Sequence, residues 1–463
     1  MKMKRFLVGL LVLAMGLGFS LGLAEEVEVI RIKAWTIGPG PMPITRASNL
    51  EKAAERLNVW FEEQGIAKKV ELIAYFSVLK WGPFKTKFYS AFAAGEAPDI
   101  VMLKETPELA EGGFIIPLDD HINEYWDEVY SDFYPTMFEA VKWDKQRWGI
   151  PQDATPHGIW YRKDVLRELG YTDEQIAEML PATAEGVTMD DLKALAQEAV
   201  EAGLVETAFR HRPSPGDTVY IYMRIFGGRA FDPATGRLVL TKSAALEAFK
   251  WFKGLVDGGL LPMAAPPWGV IHKEFVDGEI LFTFASHVGT PAEWIAKYGL
   301  TLEALEENLG FMVFPPAVPD ATPITTLGPL AYLVTTQSEH PDIAALVLKF
   351  ASDVDLVIEH SLQTMRPLIR KSALLHPNIQ PGPPPEPGTA AYESYVKKRY
   401  ILETTPMLEY AVDIPKHPDW GKYKKAVFEH LIAVETGKLA PQEAVEKLVE
   451  ILKMDIPDII IED

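Results

Sequence analysis

Short apolar runs alternate with amphipathic helical stretches along most of this chain, and that alternation narrows its choice of fold more than anything else in it. Val29 to Ala34 reads as a strand and is followed by a Gly/Pro-rich loop from Thr36 to Pro43. Ser48, with Glu51 three residues on, predicts a capping box, and Leu50, Ala53, Ala54, Leu57 and Phe61 then recur at helical spacing. Val70 to Phe76 predicts a second strand. A helix follows to about Ala94, stopped by Gly95, and Ile100–Leu103 is a third strand after Pro98-Asp99. This rhythm indicates an α/β fold with largely parallel sheets.

A second α/β region begins near Gly158. Gly158 to Tyr161 is short and extended, and Lys163 to Leu169 is helical. Thr188 with Asp191 predicts a helix N-terminus, and Leu192, Leu195, Ala196 and Ala199 form its apolar stripe. Ile280 to Ala285 is a continuous apolar run, as buried parallel strands tend to be, and Phe311 to Phe314 is another. Leu330 to Thr335 resumes strand, Ile343 to Phe350 is helical, and helices dominate after Ala390. Pro381 to Gly388 suits only a stiff surface loop. With 463 residues, the chain exceeds what one compact core holds, so two or more folding units are expected.

Met1-Lys2-Met3-Lys4-Arg5 precedes an uncharged run to Leu23, and Gly22-Leu23-Ala24 places small residues before Glu25-Glu26. That pattern predicts an export signal cleaved after Ala24, the alternative being an uncleaved anchor. A net charge of −20 argues against a nucleic-acid partner. The absence of cysteine removes thiol nucleophiles, disulfides and metal-thiolate sites.

Gly18-Phe19-Ser20-Leu21-Gly22 matches an esterase elbow but lies within the export segment. No dinucleotide or phosphate-binding loop and no His-Glu-x-x-His pair occurs, and the ten histidines are scattered, so neither a cofactor nor a metal site is expected. Paired carboxylates for hydrolysis carry little information among 65 acidic residues. Aromatic residues near loops are more telling: Trp35 ends the first strand, Trp81 stands in Lys80-Trp81-Gly82-Pro83, and Trp268 follows Pro266-Pro267. Such rings suit the flat C–H faces of sugars. Trp60 and Trp251 fall within amphipathic helices and read as packing.

Five segments, in order and spacing, resemble the extracellular solute-binding proteins of carbohydrate ABC transporters, the group that includes maltose- and trehalose-binding proteins. They are Ala93 through Val101, Leu109 through Leu118, Trp148 through Asp164, Ile225-Phe226-Gly227-Gly228, and Phe275 through Ile280. The resemblance implies a two-lobed periplasmic-binding-protein fold (type II-like), each lobe a mostly parallel sheet flanked by helices, with extra C-terminal helices. It places lobe one at 25–150 and 319–370, lobe two at 151–318 with crossovers near 150–155 and 314–318, and a C-terminal helical region at 371–463 packed near the hinge.

It also implies a carbohydrate captured between the lobes and passed to a membrane permease by a monomer in the periplasm. An α-glucoside such as trehalose, maltose or sucrose is the first expectation. A carbohydrate-sensing receptor and a secreted glycoside hydrolase are the alternatives. Ligand contacts transfer to Trp35 through Gly40, Lys104, Glu105, Gln152, Asp153, Trp268, the strand-end loop Ser286 to Gly289 with His287, Gly328 and Arg366, to which Trp81 is added for its place beside a loop. Each has a bland counterpart: Lys104, Glu105, Gln152 and Asp153 as solvated loop residues, Trp268 as an interlobe plug, His287 as a buried cap, Arg366 as a surface arginine, and Gly328 as a turn before Pro329. Asp99, preceding its strand, reads as a structural turn residue.

Overall fold

The computed structural model describes residues 26–38, 44–104, 106–318, 321–412 and 414–463. Gly40, Glu105 and the export segment through Ala24 lie outside the described residues.

Two sheets organise two separate hydrophobic cores. The first has the spatial order Lys68–Ser77, Glu28–Ile37, Ile100–Leu103, Leu330–Val334, Ile150–Asp153. Its first three strands pair in parallel. Leu330–Val334 runs antiparallel to both of its neighbours. The second sheet orders Leu309–Met312, Ile159–Arg162, Phe282–Thr283 and Phe209–Arg210, with only the last pair parallel. The sheets are therefore mixed rather than mostly parallel. The antiparallel pairs arise where the chain returns from one lobe to the other instead of through a covering helix.

Burial accounts for most of the elements the sequence suggested. Ile100–Leu103 is buried at every position, being central in its sheet and covered on both faces. Asp99 is the expected turn residue: its carboxylate accepts from the Lys33 backbone N–H at 2.8 Å and from Ser338 Oγ at 2.6 Å. The Thr188–Asp191 capping box is formed and starts helix Met189–Glu201. The apolar run Ile280 to Ala285 is buried throughout, yet only Phe282–Thr283 is paired as strand.

The capping box expected at Ser48 does not form. The helix spans Thr45–Glu63, with Ile44 at its N-cap and no side-chain cap. Long-range contacts set this start. Thr45 and Arg46 in the first turn are buried and bonded to residues more than a hundred positions away. Ser48 consequently falls inside the helix, where its hydroxyl caps nothing.

The chain passes from the first core to the second between Ala154 and Ile159 and returns from Ile324 in the second core to Leu327 in the first. Met365 packs in the second core although Ile358 before it and Leu368 after it belong to the first. Helix Ala390–Thr404 straddles both, with Val396 and Tyr400 in the second core and Ile401 in the first. The C-terminal segment then joins the second lobe. Helices Trp420–Glu435 and Pro441–Asp455 pack into its core, and Ile460–Glu462 pairs in parallel with Arg237–Thr241. Among the described residues no helix is long and apolar enough to cross a membrane.

Candidate functional site

The crossover at Asp153 is built around buried charge. Asp153 ends the edge strand of the first sheet, and its side chain is 1% exposed. Its Oδ2 accepts from Arg46 Nη2 at 2.7 Å, Arg46 Nε at 3.2 Å and His360 Nε2 at 3.0 Å. The guanidinium of Arg366 stands 3.6 Å away. Burial alone would raise the Asp153 carboxyl, but Arg46, Arg366 and the His360 hydrogen bond hold it well below its ordinary range. Burial pushes His360 down to about 4, so its imidazole is neutral at neutral pH. Since Nε2–H donates to Asp153, Nδ1 accepts from Thr45 Oγ1 at 2.7 Å.

Across this group lies the second lobe. His157 and His287 bridge as isolated β-partners, with ring centroids 5.9 Å apart. Burial is the main cause lowering both, His157 to about 4, with Arg212 and Lys104 adding to it at His157 and Arg366 at His287. Gly289 lies against Arg366: a Cβ there would be 3.3 Å from Arg366 Cγ and from His287 Cε1. Met365, which closes helix Val354–Thr364, has φ +52°, a left-handed conformation uncommon outside glycine. It turns the chain immediately before Arg366 comes to lie between Asp153 and Gly289.

What distinguishes this region is unsatisfied bonding capacity. Eleven buried polar atoms have no hydrogen-bond partner among the described residues, and four of them belong here: Gln152 Oε1, Asp153 Oδ1, Ser286 Oγ and Arg366 Nε. Buried polar groups are almost always paired, so these four unbonded atoms make the crossover a candidate place for bonds to a solute.

A cavity of about 590 Å³ lies elsewhere, between strand Ile159–Arg162 and helix Ala390–Thr404, lined by Trp160, Lys163, Phe311, Arg399 and Tyr400. Its charged groups satisfy one another. Arg399 pairs with Glu306 at 2.6 Å, Arg167 with Asp173 at 2.7 Å, and Lys163 Nζ donates to the Glu306 carbonyl at 2.5 Å. None of the orphaned atoms lines it. Volume favours that cavity, whereas bonding capacity favours the crossover, and specific recognition depends on the latter.

The residues expected from sequence fall into two groups. Asp153, His287 and Arg366 come together as described, and Gln152, buried, precedes Asp153 on its strand. Lys104 joins them from the first lobe, its charge acting on both His157 and His287 while its ammonium sits 4.8 Å from the Trp81 ring centre. Trp268 opens helix Trp268–Asp277, half-buried, stacked on His272 with centroids 5.7 Å apart. The Arg212 guanidinium lies 5.4 Å from its ring centre, linking it to His157.

Trp35 belongs to a different cluster, edge-on to Tyr75 at 6.2 Å with the Lys87 ammonium 4.6 Å from its ring. Gly328 (φ +50°) is where two crossovers touch: its carbonyl accepts from Thr155 Oγ1 at 2.7 Å, and a Cβ would meet that hydroxyl at 2.7 Å. Arg46, Thr45, His157, Arg212, Ser286 and His360 complete the site, and of these sequence reasoning named only Ser286, as part of a loop. Among the described residues no group of His, Asp or Glu is arranged to hold a metal ion.

Residues 44–355 match the family described as bacterial extracellular solute-binding protein. A binding protein of Brucella abortus is 25% identical over 247 residues, 50% of this chain, and the match spans 57% of that relative's length. The diacetylchitobiose binding protein DasA of Streptomyces coelicolor is 22% identical over 423 residues, 86% of this chain and 88% of its own. The sugar-binding protein MalE of Xanthomonas citri shares the fold, with a TM-score of 0.69 at 17% identity over 92% of this chain and 98% of that one. Two α/β lobes joined by chain crossings and a family match over most of the chain agree: this protein belongs to the bacterial extracellular solute-binding proteins.

Proposed function

We propose that the protein captures a carbohydrate between its lobes, at the Asp153–Arg366 crossover, and delivers it to an ABC permease. The observation that carries this is that Gln152 Oε1, Asp153 Oδ1, Ser286 Oγ and Arg366 Nε, on the segments that meet at the crossover, are buried and unbonded, donors and acceptors of the kind that bind hydroxyls. The half-buried ring of Trp268, stacked on His272 and reached by the Arg212 guanidinium, is the aromatic surface proposed for a sugar face. The names of DasA and of the Xanthomonas MalE support a sugar as the solute class. Within that class an α-linked glucoside is the proposal, bound by a periplasmic monomer released after cleavage at Ala24. The lobes close on the solute by bending at the crossovers, lobe one being 25–150 with 319–370 and lobe two 151–318.

Calorimetric titration against a panel of mono-, di- and trisaccharides, with product analysis of the same mixtures, tests the reading. Saturable binding without turnover supports it. Release of free monosaccharide at a catalytic rate, or no binding by any sugar, contradicts it. Trp268→Ala is expected to weaken affinity by about 1–3 kcal/mol, the worth of a stacked aromatic contact, with little change in melting temperature. A parallel fall in melting temperature would make Trp268 a packing residue.

A further inference from the structure

The charges buried at the crossover do not balance. Arg46 and Asp153 are each 1% exposed in their side chains and Arg366 is 8% exposed. Asp153 Oδ2 is already shared by Arg46 Nε, Arg46 Nη2 and His360 Nε2. Arg366 reaches it only at 3.6 Å and donates no hydrogen bond from its guanidinium to any described residue. Two guanidiniums thus face one carboxylate, and His157, His287 and His360, all lowered by burial, add no negative charge and are neutral at neutral pH. Beyond them, Asp217 is held by Lys424 at 2.7 Å, while Arg212 and Lys104 face His157 with positive charge. Among the described residues, the deeply buried part of the crossover in a chain of net charge −20 therefore holds one more positive than negative charge, with Arg212 and Lys104 adding positive charge around it.

An uncompensated buried ion is strongly unfavourable, and the consequence is visible in Arg366, whose ionisation burial pushes down to about 10. Neutralising Asp153 does not explain the residue, because Arg46 does so with two hydrogen bonds. Guanidinium donors in a planar fork match carboxylate geometry.

We infer that the solute is a carbohydrate carrying a single carboxylate, which seats on Arg366 while its hydroxyls meet Gln152 and Ser286. This rests on the reading of the crossover as a sugar site and names the solute's class within it. A neutral sugar leaves the unbonded Arg366 guanidinium without a counter-charge, which a single carboxylate supplies.

A matched pair of probes isolates the carboxylate: 2-O-α-D-glucosyl-D-glycerate and 2-O-α-D-glucosylglycerol, which differ only in that group. Calorimetric titration of the full chain at pH 7.5 and low salt is expected to show the glycerate binding roughly 10- to 100-fold more tightly, the worth of a charge-assisted hydrogen-bond pair. Arg366→Gln should bring the ratio close to one, and Arg366→Lys should restore part of it. Equal affinities, binding of neither probe, or tighter binding of α-D-glucose 1-phosphate than of the glycerate would overturn the inference, with or without a folded Arg366 variant. If neutral sugars of the panel bind and the matched pair does not discriminate, the receptor reading stands and this one falls. If no sugar binds, the receptor reading itself fails.

Discussion

Replacing Asp153 by Asn is expected to lower stability by about 3–5 kcal/mol, although the two side chains are nearly identical in size. Among the described residues the carboxylate is the only negative charge within bonding reach of two buried guanidiniums. Removing it leaves Arg46 and Arg366 facing each other in a region of low dielectric, and His360 loses the acceptor that holds its ring. The contact also ties elements far apart in the chain, joining the first turn of helix Thr45–Glu63 to the edge strand and to helix Val354–Thr364. Solute affinity should fall with stability, because Arg366 loses the carboxylate beside it.

Asp353→Asn is the matched comparison. Asp353 pairs with Arg56 at 2.6 Å, yet both side chains are about a third exposed, so the expected loss is within about 1 kcal/mol. Urea unfolding of both variants measures the difference. Equal small losses would mean that the crossover charges are hydrated and that the buried cluster does not hold the lobes in register.

Acid should destabilise the protein from pH 6.5 downward, well above the range where carboxylates titrate. His157 and His360 are each lowered by burial from 6.5 to about 4. Between those values the unfolded chain binds protons that the folded chain refuses, so folding stability falls as pH falls through this window. Each histidine contributes a slope of up to about 1.4 kcal/mol per pH unit. His287, lowered further, extends the effect to more acidic conditions.

Asp153 acts in the same direction later. Its folded value lies below the ordinary 3.8, so its contribution is complete above 3.8 and is lost only as pH falls through the lower folded value. Thermal unfolding measured from pH 8 to pH 4 should therefore show a plateau above about 6.5 and a steady decline below it. His360→Gln should reduce the slope. A flat profile down to pH 4 would place these rings in contact with solvent.

Much of the architecture was legible in the sequence because local signals and burial agree. The apolar run Ile100–Leu103 and the Thr188–Asp191 box each specify their element from neighbouring residues alone. The helix start at Thr45 was not legible, because its cause is Arg46 meeting Asp153, 107 positions later. No nearby residue announces that a first-turn arginine is buried.

His360 left a trace that could have been followed. It occupies the buried stripe Leu356, Val357, His360, Thr364 of its helix, where a polar ring needs a partner. Asp153 was expected to accept from a solute hydroxyl at the first crossover, or else to be a solvated loop carboxylate. The structure instead commits Oδ2 to Arg46 and His360, leaving Oδ1 as the atom with an unused bond. Ser286 and His287, read only as a strand-end loop, gain their significance from Arg366 and His157 across the crossover.

Amide hydrogen exchange with and without a saturating sugar identified in the panel tests the central claim most directly, because it reports where the solute sits. Protection is expected at Gln152 through His157, at Ser286 through Thr290 and around Arg366, on both sides of the crossover. Protection confined to the cavity walls at Trp160 to Ala182 and Val396 to Met407, with the crossover unchanged, would contradict the account and move the site behind the hinge.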